Sequence, residues 1–266
     1  VLGLVVGLST TARANTVIDL TAANSTSGQR TSASGDTFIV NEIQPQSTGT
    51  GFIDSFLRIQ QTGSERGYNT DTNQVLDNKD GNFTHSILLS DLAVQTINGV
   101  EYYMFILDIN QTGPNPLLSL NQVQIFANSG DPGAGCTIDE ANPGDFANIT
   151  GGCGTEVFTM SNNTMGTDYE LQLNYDLNSG SGSGDYQFLI AKSAFNGIPL
   201  TSNIILFSQF GSPNGAYSSN DGFEEWWALR GTPGGTPPVP EPASLLLFGM
   251  GLGLVARRVR RMRAQV

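Results

Sequence analysis

The dipeptide Asn98-Gly99 stands between the run V-Q-T-I (94–97) and the run V-E-Y-Y-M-F-I-L-D-I (100–109). A two-residue type I′ hairpin turn needs φ > 0 at both central positions, and Asn-Gly meets that need at low steric cost. This pair therefore predicts two antiparallel strands and fixes their register. Similar short runs recur along the chain, at 37–43, 51–60, 83–89, 122–126, 157–160, 169–177, 186–191, 204–210 and 223–230. Gly, Asn, Asp and Ser separate them, and 32 of the 266 residues are glycine. Apolar and polar residues alternate in several runs, with Leu171, Leu173 and Tyr175 against Gln172, Asn174 and Asp176. Period two means one buried face and one wet face. The nearly continuous apolar run 100–109 predicts a central strand. No amphipathic helix longer than two turns is apparent.

These features predict an all-β fold, a single antiparallel β-sandwich of jelly-roll type spanning residues 15–230. A parallel β-helix is the alternative. It would require a repeat of 20–50 residues, which the sequence lacks. The stretch N-S-G-S-G-S-G-D (178–185) reads as a long flexible loop joining two strands of a hairpin.

The chain has 12 Lys and Arg against 24 Asp and Glu. Within 15–240 there are six basic residues and 23 acidic ones, a net charge of −17. That excludes nucleic-acid binding driven by positive charge. It favours neutral sugars, cations or basic surfaces as partners. The single histidine, His85, excludes a multi-histidine metal cage. No phosphate loop, zincin helix or nucleophile elbow is present, and no catalytic residue is assigned.

The two ends read as addresses. Residues 1–8 are apolar and lead through Ser9, Thr10 and Thr11 to Ala12-Arg13-Ala14. This reads as the last part of a signal peptide (1–14) with cleavage after Ala14. At the other end, G-T-P-G-G-T-P-P (231–238) is a linker by composition. Pro240, Glu241 and Pro242 follow, then fourteen uncharged residues (243–256), then Arg257, Arg258, Arg260, Arg261 and Arg263. Fourteen residues make about 21 Å of helix, a short transmembrane segment, and the arginines set its cytoplasmic side.

This order over 239–266 resembles a PEP-CTERM sorting signal. The resemblance implies recognition by an exosortase, a membrane protease, in a Gram-negative exopolysaccharide producer. It implies an inner-membrane intermediate and then delivery to the cell surface or outside. The body, at 77–92, 103–110, 117–126 and 220–226, resembles uncharacterised exported proteins with the same tail. That second resemblance implies a shared β-rich domain and no activity.

Three further features bear on function. Cys136 and Cys153 are the only cysteines, and an exported chain with an even count predicts one disulfide. The polar, Gly-rich segment between them has no evident core of its own. The loop carrying Asp71, Asn73, Asp77, Asn78, Asp80 and Asn82 offers oxygen ligands of the kind Ca²⁺ takes, although its spacing departs from an EF-hand. Otherwise no metal or cofactor is implied. In N-D-G-F-E-E-W-W (220–227) two carboxylates stand beside two indoles, the groups that contact sugars. Strand alternation would put adjacent members on opposite faces, so one Trp is expected in the core.

The expectation is an exported, exosortase-sorted surface or polysaccharide-matrix protein with a non-catalytic glycan-binding or structural body. The alternatives are a polysaccharide-degrading enzyme and an ice binder. The latter would need a regular Thr array, and only scattered pairs such as Thr48/Thr50 and Thr70/Thr72 occur.

Overall fold

The computed structural model describes residues 16–43, 53–72, 75–79, 83–111, 114–131, 133, 135–139, 147–162, 168–180, 184–212, 215–220 and 222–229. The expected signal segment, the linker 231–238 and the tail 239–266 lie outside them. Among the described residues no helix is long and apolar enough to cross a membrane.

Their strands, in chain order, are β1 (Thr16–Asp19), β2 (Arg30–Thr31), β3 (Thr37–Glu42), β4 (Ile53–Ile59), β5 (Thr62–Gly63) and β6 (Glu65–Tyr68). Next come β7 (Ile87–Leu88), β8 (Val94–Ile97), β9 (Val100–Ile109), β10 (Leu117–Asn128), β11 (Thr137–Ile138) and β12 (Ile149–Gly151). The last are β13 (Thr155–Thr159), β14 (Tyr169–Asn174), β15 (Tyr186–Ala191), β16 (Asn203–Phe210), β17 (Ser219–Asn220) and β18 (Glu224–Leu229). The fold is all-β, and among the described residues the only helical elements are short 3-10 turns.

Two seven-stranded sheets face each other and neither closes into a barrel. The first runs β1-β14-β10-β16-β6, with β13 also on β10 and β7 also on β16. The second runs β2-β3-β15-β9-β18-β4, with β8 also on β9. Pairing within both is antiparallel apart from β1 with β14. The expected sandwich is present.

The Asn98-Gly99 turn joins β8 to β9, with φ of 51° and 80° at its two residues. β9 lies between β15 and β18 and is buried on both faces over most of its length. Tyr103, Phe105, Leu107 and Ile109 enter the inter-sheet core, while Tyr102, Met104 and Ile106 join a second apolar cluster on the outer face. Burial on both sides is why this run is continuous rather than alternating. The inter-sheet core is rich in aromatic edge contacts, including Phe38 with Phe158 and Phe188 with Trp226.

Several expectations are corrected. The run expected at 83–89 forms a strand only at Ile87–Leu88. That expected at 169–177 ends at Asn174, whose side chain accepts a hydrogen bond from the Asp176 amide and starts a 3-10 turn. Conversely, β10 extends well beyond 122–126, because residues 117–120 pair with β14 and residues 127–128 with β16. The 178–185 stretch does not close a hairpin. It connects β14 in the first sheet to β15 in the second, so it crosses between layers.

Cys136 and Cys153 are joined by a disulfide, with Cα atoms 4.8 Å apart. The segment between them has no core of its own and uses that of the first sheet. Ala147, Ile149, Cys153, Cys136 and Ile138 pack on Tyr68, Phe126, Ile205 and Phe207, on the outer face of the first sheet. Glutamine side chains on the sheet hold the segment's backbone. Gln124 Oε1 accepts from the Ile149 amide and Gln209 Oε1 from the Ala147 amide, each at 2.6 Å. Gly152, at φ 82°, lies so close to the Gly135 carbonyl that a Cβ would fall 2.1 Å from that oxygen.

Candidate functional site

The segment 220–227 ends in β18, a strand between β9 and β4 inside the second sheet. Alternation separates its side chains. Trp226 is fully buried in the inter-sheet core, and its indole nitrogen donates to Ser208 Oγ at 2.9 Å. Trp227 packs beside the outer-face cluster and is only partly buried. Glu225 accepts from Arg58 Nε at 2.7 Å and from Ser55 Oγ at 3.2 Å. The Arg58 guanidinium lies over the rings of Phe83, at 3.5 Å, and Phe223, at 4.8 Å. Such contacts favour a desolvated cation. Glu224, Glu225 and Trp226 are thus buried in strand packing, and only Trp227 is part-exposed.

Glu224 faces the other way and is fully buried. Its carboxyl group hydrogen-bonds the carboxyl of Glu65 on β6, the edge strand of the opposite sheet. Gln111, just past β9, donates its Nε2 to Glu224 Oε1 at 2.8 Å, and the Gln61 amide donates to Glu65 Oε2 at 2.7 Å. Glu65 also hydrogen-bonds the Ser219 side chain and Glu224 the Asn110 backbone, and the buried Glu65 Oε1, Glu224 Oε2 and Gln111 Oε1 find no N–H donor. Burial pushes the Glu65 pKa up to about 7, and burial with the neighbouring Glu65 charge pushes Glu224 well above the carboxylate range. A buried polar atom left without a partner costs about 1–3 kcal/mol.

A second carboxyl pair lies at the same end of β9. Burial raises Asp185 to about 9, against a hydrogen bond from the Ile109 amide at 2.7 Å and with the help of Asp108 and Glu42. Asp108 hydrogen-bonds Asp185, and both are buried. Glu42 is held by Asn178 Nδ2 at 3.0 Å.

On the outer face of the second sheet, near the β8–β9 turn, is a groove of about 370 Å³. Ile39 and Tyr102 form its buried floor. The segment from Thr26 to Gln29 lies on one side, and Asn98 and Val100 lie on the other. Thr26 Oγ1 donates to Asn41 Oδ1 at 2.6 Å, which fixes one wall. None of the lining residues carries a charge.

The acidic loop noted in the sequence is used locally where it is described. Asp71 accepts from the Ser86 amide and hydroxyl at 2.7 Å, Asp77 from the Arg66 amide at 2.9 Å, and Asn78 donates to the Tyr68 carbonyl at 2.6 Å. Asn73, Asp80 and Asn82 lie outside the described residues. The His85 Nδ1 is 2.8 Å from the Ser86 carbonyl. Among the described residues no group of three or more His, Cys, Asp or Glu is arranged to hold a metal ion.

Sequence reading missed Glu65 and Gln111 as neighbours of Glu224, and missed the groove. Periodicity shows which face of its own strand a residue occupies. It carries no information on which residue of the facing sheet lies opposite. Asn98 alone was signalled, through its turn.

Residues 238–261 match the PEP-CTERM protein-sorting motif. The match takes in Pro240, Glu241 and Pro242 and the arginines Arg257, Arg258, Arg260 and Arg261; Arg263 lies beyond it. No curated protein matches the chain. The chain is therefore an exported protein sorted by an exosortase. It passes through a membrane-associated intermediate and goes on to the cell surface or extracellular space.

Proposed function

We propose that the exported sandwich is a non-catalytic module of the cell surface or polysaccharide matrix, and that it takes neutral glycan in the groove between Thr26–Gln29 and the β8–β9 turn. The observation that carries this reading is the uncharged lining of that groove on a body that the sequence makes strongly acidic. Amide and hydroxyl groups of Thr26, Gln29, Asn41 and Asn98 suit sugar hydroxyls, and Ile39, Val100 and Tyr102 suit the apolar faces of a pyranose ring. The acidic surroundings favour a neutral polymer over a polyanion. The exosortase is the processing partner in this reading, and the matrix polysaccharide is the binding partner.

The test is isothermal titration of the protein with neutral and anionic fractions of host exopolysaccharide. The variants are Asn98→Gly, which keeps the turn, and Val100→Lys, which fills the exposed edge. Saturable binding of a neutral fraction, weakened at least about tenfold by either variant, supports the reading. Binding that is absent, or that both variants leave intact, overturns it.

A further inference from the structure

We propose that Glu65, Glu224 and Gln111 form a divalent-cation site of the Ca²⁺ class, which ties the two sheets together at one end of the sandwich. Glu65 comes from the edge of the first sheet, and Glu224 from the interior of the second. Gln111 follows the central strand β9. The three converge from distant parts of the chain and are 0%, 0% and 3% exposed.

Glu65 Oε2 accepts from the Gln61 amide and Glu224 Oε1 from Gln111 Nε2, and the Ser219 side chain and the Asn110 backbone also hydrogen-bond Glu65 and Glu224 respectively. The buried Glu65 Oε1 and Glu224 Oε2 find no N–H donor, and the two carboxyl groups are in contact with one another. Only something positive relieves that contact, either a proton or a metal ion. A proton serves the two carboxyls and leaves Gln111 Oε1 without a donor in a fully buried place. A cation serves all three oxygens together.

Gln111 is the observation that separates the two. Its amide nitrogen donates to Glu224 at 2.8 Å, and the carbonyl oxygen of that same buried amide has no donor. The donor set is oxygen alone, two carboxylates and one amide carbonyl, which is the hard-ligand chemistry of Ca²⁺ rather than of zinc or copper. Among the charges acting on the pair, the strongest are the two carboxylates themselves and the acidic Asp77. The local field therefore favours a cation. This site is separate from the 71–82 loop that the sequence suggested. It does not depend on the glycan reading.

The test uses the full chain in detergent, stripped with a chelator and titrated with Tb³⁺ at pH 7. Trp226, two residues from Glu224, is the donor for sensitised emission. Saturable emission that Ca²⁺ competes away, with a raised unfolding midpoint in Ca²⁺, is the expected result. Glu224→Gln, the isostere of the protonated acid, should weaken binding by about tenfold or more. Gln111→Leu removes one oxygen without changing charge and should weaken it several-fold. Glu101→Gln, on the exposed ion pair with Lys192, should leave it unchanged. No saturable emission from the wild type overturns the proposal. So does emission that survives both Glu224→Gln and Gln111→Leu, which would place the ion elsewhere on the acidic surface.

Discussion

The Trp226 indole nitrogen donates to the Ser208 hydroxyl at 2.9 Å, so a strand of one sheet is hydrogen-bonded through the core to a strand of the other. Both side chains are fully buried. Ser208→Ala leaves the indole N–H without a partner and should cost about 1–3 kcal/mol. Trp226→Ala opens a cavity among Phe188 and Phe210 as well, and should cost about 3–5 kcal/mol. Urea unfolding of the two variants checks the order. Equal losses would mean that the hydrogen bond carries all of the effect.

Asp185 binds its proton more tightly in the folded state than in the unfolded one. Its pKa lies at about 9 when folded, against 3.8 ordinarily. Over that window the native state holds more protons than the unfolded chain, so this group's contribution to stability falls as pH rises from about 4 to about 9. The slope approaches about 1.4 kcal/mol per pH unit. Asp185→Asn supplies a permanent donor toward Asp108 and keeps an acceptor for the Ile109 amide. It should flatten the fall and stabilise the protein at pH 8, as read by denaturant midpoints across pH. A steeper fall in the variant would contradict this assignment.

The Cys136–Cys153 bridge closes a 17-residue separation and covers an apolar patch. Replacing both cysteines by serine should cost about 3 kcal/mol in loop-closure entropy. Amide exchange should accelerate most in β11 and β12 and in the 147–153 segment, and least in β9. Uniform acceleration would show that the loop and the sandwich unfold as one unit.

Glu241 lies in the matched sorting motif. A Glu241→Ala chain should accumulate uncut in the membrane fraction, while the sandwich folds normally. Fractionation and mass measurement of the released protein check this. Release at the wild-type rate would remove Glu241 from the recognition element.

Local chemistry made much of this legible in advance. Asn98-Gly99 set a turn because few residues accept φ > 0 twice in succession, and the strand that follows it runs at 100–109 as expected. The sorting motif was legible because its parts are contiguous. β6 was not, because E-R-G-Y carries two charges and a glycine, and it becomes a strand only by pairing with β16. The partners of the Glu224–Trp227 segment were not legible for a similar reason. Alternation predicted opposite faces, but the contacts of each face come from other strands.

The sequence by itself therefore determined the fold class, the central strand, the hairpin turn and the export address, all of which depend on residues near one another in the chain. Only the tertiary structure decided that the cysteine segment packs on Tyr68 and Phe207, that Glu224 meets Glu65 and Gln111, and that an uncharged groove opens beside Tyr102. These are pairings across sheets and between distant segments. Period two assigns a face to each side chain, and the register of the assembled sheets chooses its neighbours.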